Sequence, residues 1–291
     1  MSDTLRPLWD FDDLDATERR FRDLLDHQTD DGRRAEVLTQ LARVNGLRGE
    51  LEQGEALIEE AETLAGSSMR ARARIDLERG RLRRSGGDPR SALPLFETAF
   101  ARAEDAGELF IAIDAAHMAA IADSGDEGML AWTQRGIELA EAADPSVRYW
   151  LGPLLNNLGW HCYEAGDYEH ALDAFERALR ERERDPEKRS AIEIARYAVG
   201  KTLRALDRPG EATALLEKAV AWAEGDGKPD GWFHEELAED YAALGRAAEA
   251  REAARRALAL LSDDDPTFDS DGERAKRLRQ IAGGDAGAKT S

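Results

Sequence analysis

Small and apolar residues return along this chain at steps of three and four, the period of a helix with one buried face, and short glycine-bearing turns interrupt them. The stretch from Leu154 to Pro186, LLNNLGWHCYEAGDYEHALDAFERALRERERDP, shows the pattern most fully. It divides into two amphipathic helices about the turn Glu164-Ala165-Gly166-Asp167, with Leu158 and Gly159 on the first and Ala171, Phe175 and Ala178 on the second. Small residues are needed where two helices cross closely, and large ones where the gap between them must be filled. The pattern therefore predicts a packed helix-turn-helix pair.

The same spacing recurs. Gly80, Gly87, Ala92, Phe96 and Ala99 repeat it ahead of this stretch, and Leu41, Ala42, Gly49, Gly54, Ile58 and Ala61 follow it loosely. Behind it come Gly200, Ala212, Leu216 and Ala219, then Leu237, Ala238, Tyr241, Gly245, Ala250 and Ala257. Between Glu108 and Ala143 the unit is degenerate, with His117, Met129, Thr133 and Gly136 in the equivalent places. The sequence resembles the tetratricopeptide repeat, whose pattern is Leu-Gly, an aromatic, then Ala, an aromatic, Ala and a late Pro. Tyr163 lies one place beyond the usual aromatic position, which Cys162 holds. The anchors Ala42, Gly80, His117, Gly159, Gly200 and Ala238 follow one another at about 37 to 42 residues, longer than the common unit of about 34.

The expected fold is all-α: a right-handed α-α superhelix, a TPR solenoid of about six helix-turn-helix repeats with a capping helix at each end. Residues 1–32 are expected to form the N-terminal cap, 33–265 the array, 266–283 the C-terminal capping helix and 284–291 a disordered tail. Caps are required because a terminal repeat otherwise exposes an apolar face. Asp15-Ala16-Thr17-Glu18 reads as a capping box, with Phe21, Leu24 and Leu25 on one face behind it and Trp9, Phe11 and Leu14 folding over the first repeat. Ala275, Leu278 and Ile281 line a last helix that Gly283 and Gly284 stop. No Pro/Ser-rich linker or change of composition divides the array, so a single domain is expected.

Charge narrows the partners. A formal net charge of -20 sets nucleic acid and anionic lipid against net repulsion, so neither is expected as a partner. The single cysteine, Cys162, cannot form an internal disulfide, the start MSDTLRPLWDFDD lacks the apolar core of a signal peptide, and no stretch is long enough to span a bilayer. A soluble cytoplasmic protein is expected.

Reactive-looking motifs have plainer readings. In Trp160-His161-Cys162, adjacent helical side chains diverge by about 100° and do not share one substrate, so Cys162 reads as an inert core thiol. His234-Glu235-Glu236-Leu237-Ala238 begins like a zinc-protease motif but has Ala238 at the second ligand place. The acidic run from Asp263 to Asp271 has Thr267 and Leu278 where a calcium loop needs carboxylates, and reads as a solvated turn. No phosphate-binding loop or nucleophile elbow is present. No catalytic residue, metal or cofactor is expected. For an enzyme, at least two of Asp114, His117, His161 and Cys162 would have to share one pocket.

A binding surface remains. In the family the sequence resembles, the first helix of each pair lines a concave groove. Helical spacing places on it Glu36, Thr39 and Arg43; Arg74, Leu77, Arg81 and Arg84; Ile111, Asp114, Met118 and Ile121. It continues with Pro153, Asn156, Trp160 and Tyr163; Ile194, Tyr197, Lys201 and Arg204; and Trp232, Glu235 and Glu239. Arginine forks grip carboxylates, while amides and aromatics suit an extended peptide. The expected occupant is a peptide with an acidic part near the second repeat and a basic part near the sixth, set against internal salt bridges such as Arg81 to Glu78. Around Asn156-Asn157-Leu158 one repeat also resembles the cargo-binding repeats of kinesin light chains, which implies peptide binding in general. The carboxylate clamp of chaperone-binding members is not reproduced. These features point to a noncatalytic protein- or peptide-binding scaffold or adaptor. The alternatives are a peptide-responsive regulatory sensor acting through protein partners, or a subunit of an enzyme complex. Self-association through the acidic outer face stays open.

Overall fold

The computed structural model describes residues 3–123, 125–144, 147–265 and 267–283. Among them lie fourteen α-helices, two 3-10 turns and no strand. Helix α1 (Leu14–His27) precedes six pairs. These are α2 (Asp31–Leu47) with α3 (Leu51–Ala65), α4 (Met69–Ser85) with α5 (Pro89–Asp105), and α6 (Leu109–Ala122) with α7 (Asp126–Ala142). Then come α8 (Leu151–Glu164) with α9 (Tyr168–Arg182), α10 (Arg189–Ala205) with α11 (Pro209–Gly225), and α12 (Gly231–Ala243) with α13 (Ala247–Asp264). Helix α14 (Glu273–Ile281) follows. The chain forms two compact units, residues 1–154 and 155–291, the division falling within α8.

Each pair keeps one register. Sixteen positions after the first-helix anchors Ala42, Gly80, His117, Gly159, Gly200 and Ala238 stand Ile58, Phe96, Thr133, Phe175, Leu216 and Ala254, every one fully buried. Except at His117, the anchors are small because the partner side chain presses on them. A Cβ added at Gly80 or Gly159 would lie 2.5 Å from the ring of Phe96 or Phe175, and one at Gly200 would lie 2.9 Å from Leu216. Seven positions after the anchor the chain turns through the left-handed region, at Gly49, Gly87, Gly166 and Gly245. The fifth pair uses Asp207 there, with φ 58°. The third counterpart, Ser124, lies outside the described residues.

The long repeat spacing has two sources. In the first pairs, helices of 15 to 17 residues meet across three-residue turns such as 48–50 and 86–88, so the length is helical. Between α7 and α8, and between α9 and α10, it comes from longer connections, 143–150 and 183–188. In the N-terminal unit the first helices α2, α4 and α6 pack side by side, and in the C-terminal unit α10 packs beside α12.

The ends differ in detail from expectation. Helix α1 is capped by Asp13, whose side chain accepts from the Ala16 N–H, rather than by Asp15. Asp15 and Glu18 instead hold Arg48 at the end of α2, a cross-helix pairing that a local capping motif cannot foresee. At the other end Ala275 and Leu278 are buried, Leu278 packing on α12 and α13, and Gly283 turns the chain at φ 82°. The tail expected at 284–291, Gly284 included, lies outside the described residues. No described helix is long and apolar enough to cross a membrane.

Candidate functional site

In the N-terminal unit the segment ahead of α1 lies on the first helices. Leu5 and Trp9 join Phe21 on Val37, Leu41 and Val44 of α2, and the Trp9 indole donates to Gln40 Oε1 at 2.9 Å. Asp3 reaches α4, where Arg74 donates to it at 2.7 Å and to Glu36 at 3.1 Å. Arg70 joins Glu36 at 2.8 Å to Glu108 at 2.6 Å. Further along α4, Arg81 donates to Glu78 at 2.6 Å and to Asp114 of α6. Arg74 and Arg81 are thus held by the chain's own carboxylates, and Asp3 occupies the acidic place expected of a ligand near the second repeat. A buried guanidinium without a counter-charge costs several kcal/mol, so such pairs form wherever the fold allows.

Arg43 and Arg84 stand apart. Arg43 is half-buried, its guanidinium 5.1 Å from the Trp9 ring and 5.4 Å from Phe11, and it forms no ion pair among the described residues. Burial lowers its pKa from the ordinary value, and repulsion from Arg81 adds to this. Arg84 is exposed at the end of α4. Thr39, Leu77 and Ile111, expected to face an open channel, are 0%, 1% and 1% exposed. The side-by-side packing of α2, α4 and α6 closes over them.

The C-terminal unit carries an aromatic row instead. Trp160 of α8 meets Tyr163 edge-on at 5.6 Å and Tyr197 of α10 at 6.4 Å, and Tyr197 meets Phe233 of α12 at 5.8 Å. Trp160, Tyr163 and Tyr197 are half-buried, as is Asn156 on the same helix as Trp160, and Trp232 is 40% exposed. Burial raises the pKa of both Tyr163 and Tyr197. Lys201 and Arg204 converge on Glu236, Arg204 at 2.5 Å. Glu235 accepts from Arg274 of α14 at 2.6 Å and Glu239 from Arg277 at 3.1 Å, so the basic part expected of a ligand near the sixth repeat is likewise supplied by this chain. The Arg274 guanidinium lies 3.7 Å from the Trp232 ring centroid. Asp240 is fully buried, neither carboxylate oxygen accepting a hydrogen bond although Arg204 lies 3.7 Å from Oδ1, and its pKa is pushed up to about 7 by burial above all.

The degenerate third pair is filled by packing. His117 lies 5.5 Å from Trp150, and burial pushes its pKa down to about 4, so the ring is neutral at pH 7. Asp114, although burial works the other way, is held below the usual carboxylate range by Arg81 first and Arg43 next. These two share α6, whereas His161 and Cys162 lie on α8 in the other unit. Burial raises the Cys162 thiol pKa, which keeps it in the poorly nucleophilic thiol form. Asp265 and Asp269 bind Thr267 and Asp271 within their own turns. Among the described residues no three His, Cys, Asp or Glu side chains form a metal-holding group.

The sequence did carry a signal for most of these pairs: opposite charges one repeat apart. Glu36 and Arg74 are separated by 38 positions, Arg81 and Asp114 by 33, Glu235 and Arg274 by 39, and Glu239 and Arg277 by 38. The contribution of Asp3, 71 positions from Arg74, has no such period.

Packed helix pairs on one register, with first helices side by side within each unit, give a tetratricopeptide-type helical repeat fold. Residues 152–185 match the tetratricopeptide repeat family. No curated protein matches the sequence. Among solved structures, a signal transduction ATPase with a tetratricopeptide repeat sensor from Pyrococcus horikoshii is similar at TM-score 0.70 and 13% identity, over 92% of this chain and 42% of that one. The APC/C hetero-tetramer Cut9–Hcn1 is similar at TM-score 0.60 and 15% identity, over 96% of this chain and 48% of that one. The apo quorum sensor NprR from B. thuringiensis is similar at TM-score 0.53 and 12% identity, over 93% of this chain and 83% of that one. At these identities the likeness is one of fold, and this chain spans less than half the length of the first two.

Proposed function

We propose that the chain is a noncatalytic protein-binding scaffold or adaptor that docks an extended peptide segment along the first-helix face of its C-terminal unit. The aromatic row carries this reading: Trp160, Tyr163 and Tyr197 stand partly exposed in succession on α8 and α10, with Trp232 beyond them on α12. Such rings cover apolar peptide side chains with little loss of their own freedom, and Asn156 offers an amide to the peptide backbone. Because Lys201, Arg204, Glu235 and Glu239 already have partners in this chain, the segment that fits best is apolar or aromatic rather than strongly charged.

The test is capture of partners from native lysate by the chain and by a Trp160→Ala/Trp232→Ala variant whose helical content is unchanged by circular dichroism. Partners held by the native chain should fall about tenfold or more with the variant, in line with the loss of two aromatic anchors. Equal capture by both would remove the row from the binding surface.

A second reading, a peptide-responsive sensor, is favoured by the N-terminal segment lying on the first helices of its own unit. Similar folds occur in the tetratricopeptide repeat sensor and the quorum sensor named above. X-ray scattering with and without a captured partner peptide separates the two: a sensor changes its dimensions and a rigid scaffold does not.

A further inference from the structure

The N-terminal unit holds a partly open cavity of about 170 Å³ where the N-terminal segment, α2, α4, α6 and the 3-10 turn Arg148–Trp150 meet. Five of its eleven lining residues are aromatic: Trp9 and Phe11, stacked at 4.8 Å, with Phe110, Tyr149 and Trp150. The space is close to that of an apolar cavity of about 150 Å³ that admits one benzene.

Its charges sort into those already matched and one that is not. Arg74 is held by Asp3 and Glu36, and Asp114 by Arg81. Arg6 lies over Phe11 at 5.2 Å and over Tyr149 at 5.5 Å. Arg43 lies against the ring faces of Trp9 and Phe11 and lines the cavity, and among the described residues its guanidinium makes no ion pair, the nearby carboxylates Glu78 and Asp114 being bound by Arg81 instead. Burial, with repulsion from Arg81, lowers the pKa of Arg43 in spite of the opposing pull of Glu78 and Asp114. The wall also buries the Trp150 indole N–H without an acceptor.

We propose that this cavity binds a small monocarboxylate with a flat apolar body, its carboxylate on Arg43 and its ring among Trp9, Phe11 and Tyr149. A guanidinium fork matches a carboxylate through two parallel hydrogen bonds, and the stacked rings favour a planar group of benzene size. A dianion fits less well, because Asp3 and Asp114 also line the space. The same chemistry is offered by a free aromatic acid and by the C-terminal phenylalanine of a peptide. Four of the eleven lining residues, Asp3, Arg6, Trp9 and Phe11, belong to the N-terminal segment, so an occupant would also fasten that segment to the repeats. The proposal does not depend on the aromatic row of the other unit.

Calorimetric titration of the full chain with phenylacetate, phenylacetamide and the tripeptide Gly-Gly-Phe tests it. Phenylacetate should bind saturably and at least tenfold more tightly than the isosteric amide, and Arg43→Gln should weaken it by tenfold or more, with Arg43→Lys between. If the tripeptide binds more tightly than phenylacetate the site takes a chain end, and if less tightly it takes a free acid; either supports the proposal. Absence of saturable binding by both phenylacetate and the tripeptide overturns it. So does equal affinity for phenylacetate and its amide, or unchanged affinity in Arg43→Gln. Should Arg43→Gln lose helical content, Phe11→Ala, at a ring 46% exposed, takes its place and should weaken phenylacetate by about threefold or more; unchanged affinity there also overturns the proposal.

Discussion

The two units use one repeat pattern for different surfaces. In the N-terminal unit the first helices are bound together by buried ion pairs and overlaid by the chain's own N-terminal segment, so Arg74 and Arg81, which look available in the sequence, are already matched. In the C-terminal unit the first helices carry a partly exposed aromatic row, with matched charges at its end. Repeat register fixes which positions are buried between helices, but the side chains on the shared face are free to differ.

The largest expected break in this comparison is Arg81→Glu. It removes the counter-charge of Glu78 and Asp114 and sets a third carboxylate beside them, which should cost the N-terminal unit about 3–5 kcal/mol in chemical denaturation. Loss of a partner in this variant would therefore report unfolding rather than a missing ligand contact.

Next is Asp240→Asn in the C-terminal unit. The folded pKa of Asp240 is about 7 against an ordinary value of 3.8. Its contribution to stability is fully present below about pH 4 and is lost as pH rises toward 7, because ionisation is disfavoured only in the folded state. The amide should stabilise the chain by roughly 1–3 kcal/mol at pH 8 and leave it unchanged near pH 4. A gain of the same size at both pH values would sink the assignment.

The smallest effect sharpens what the units share. Gly80→Ala and Gly159→Ala each place a Cβ 2.5 Å from a buried phenylalanine ring, one in each unit. Each should lower stability by about 1–3 kcal/mol despite the better helix propensity of alanine, and by similar amounts. A clear inequality in their melting temperatures would mean that the shared register does not carry equal strain.

Much of the fold could be read from particular residues. Gly80 with Phe96 and Gly159 with Phe175 announce a close helix crossing before any coordinates, because a missing Cβ and a large ring are complementary in volume. The glycine turns at 49, 87, 166 and 245 are legible for a similarly local reason: the left-handed region is open to glycine at little cost. The candidate surface was legible only in part. Trp160, Tyr163, Tyr197 and Trp232 have the exposure that helical spacing implies, while Arg74 and Arg81 do not, since their partners Asp3, Glu36 and Asp114 come from other elements.

By itself, then, the sequence determined the helix pairs, their register and their number, because those rest on steric and conformational rules acting within about one repeat. Only the tertiary structure decided which charges are matched, that the N-terminal segment lies over α2 and α4, and that Arg43 is left beside an aromatic cavity. Those outcomes depend on groups far apart in the chain reaching the same depth, where the high cost of an unpaired buried charge selects one partner among many.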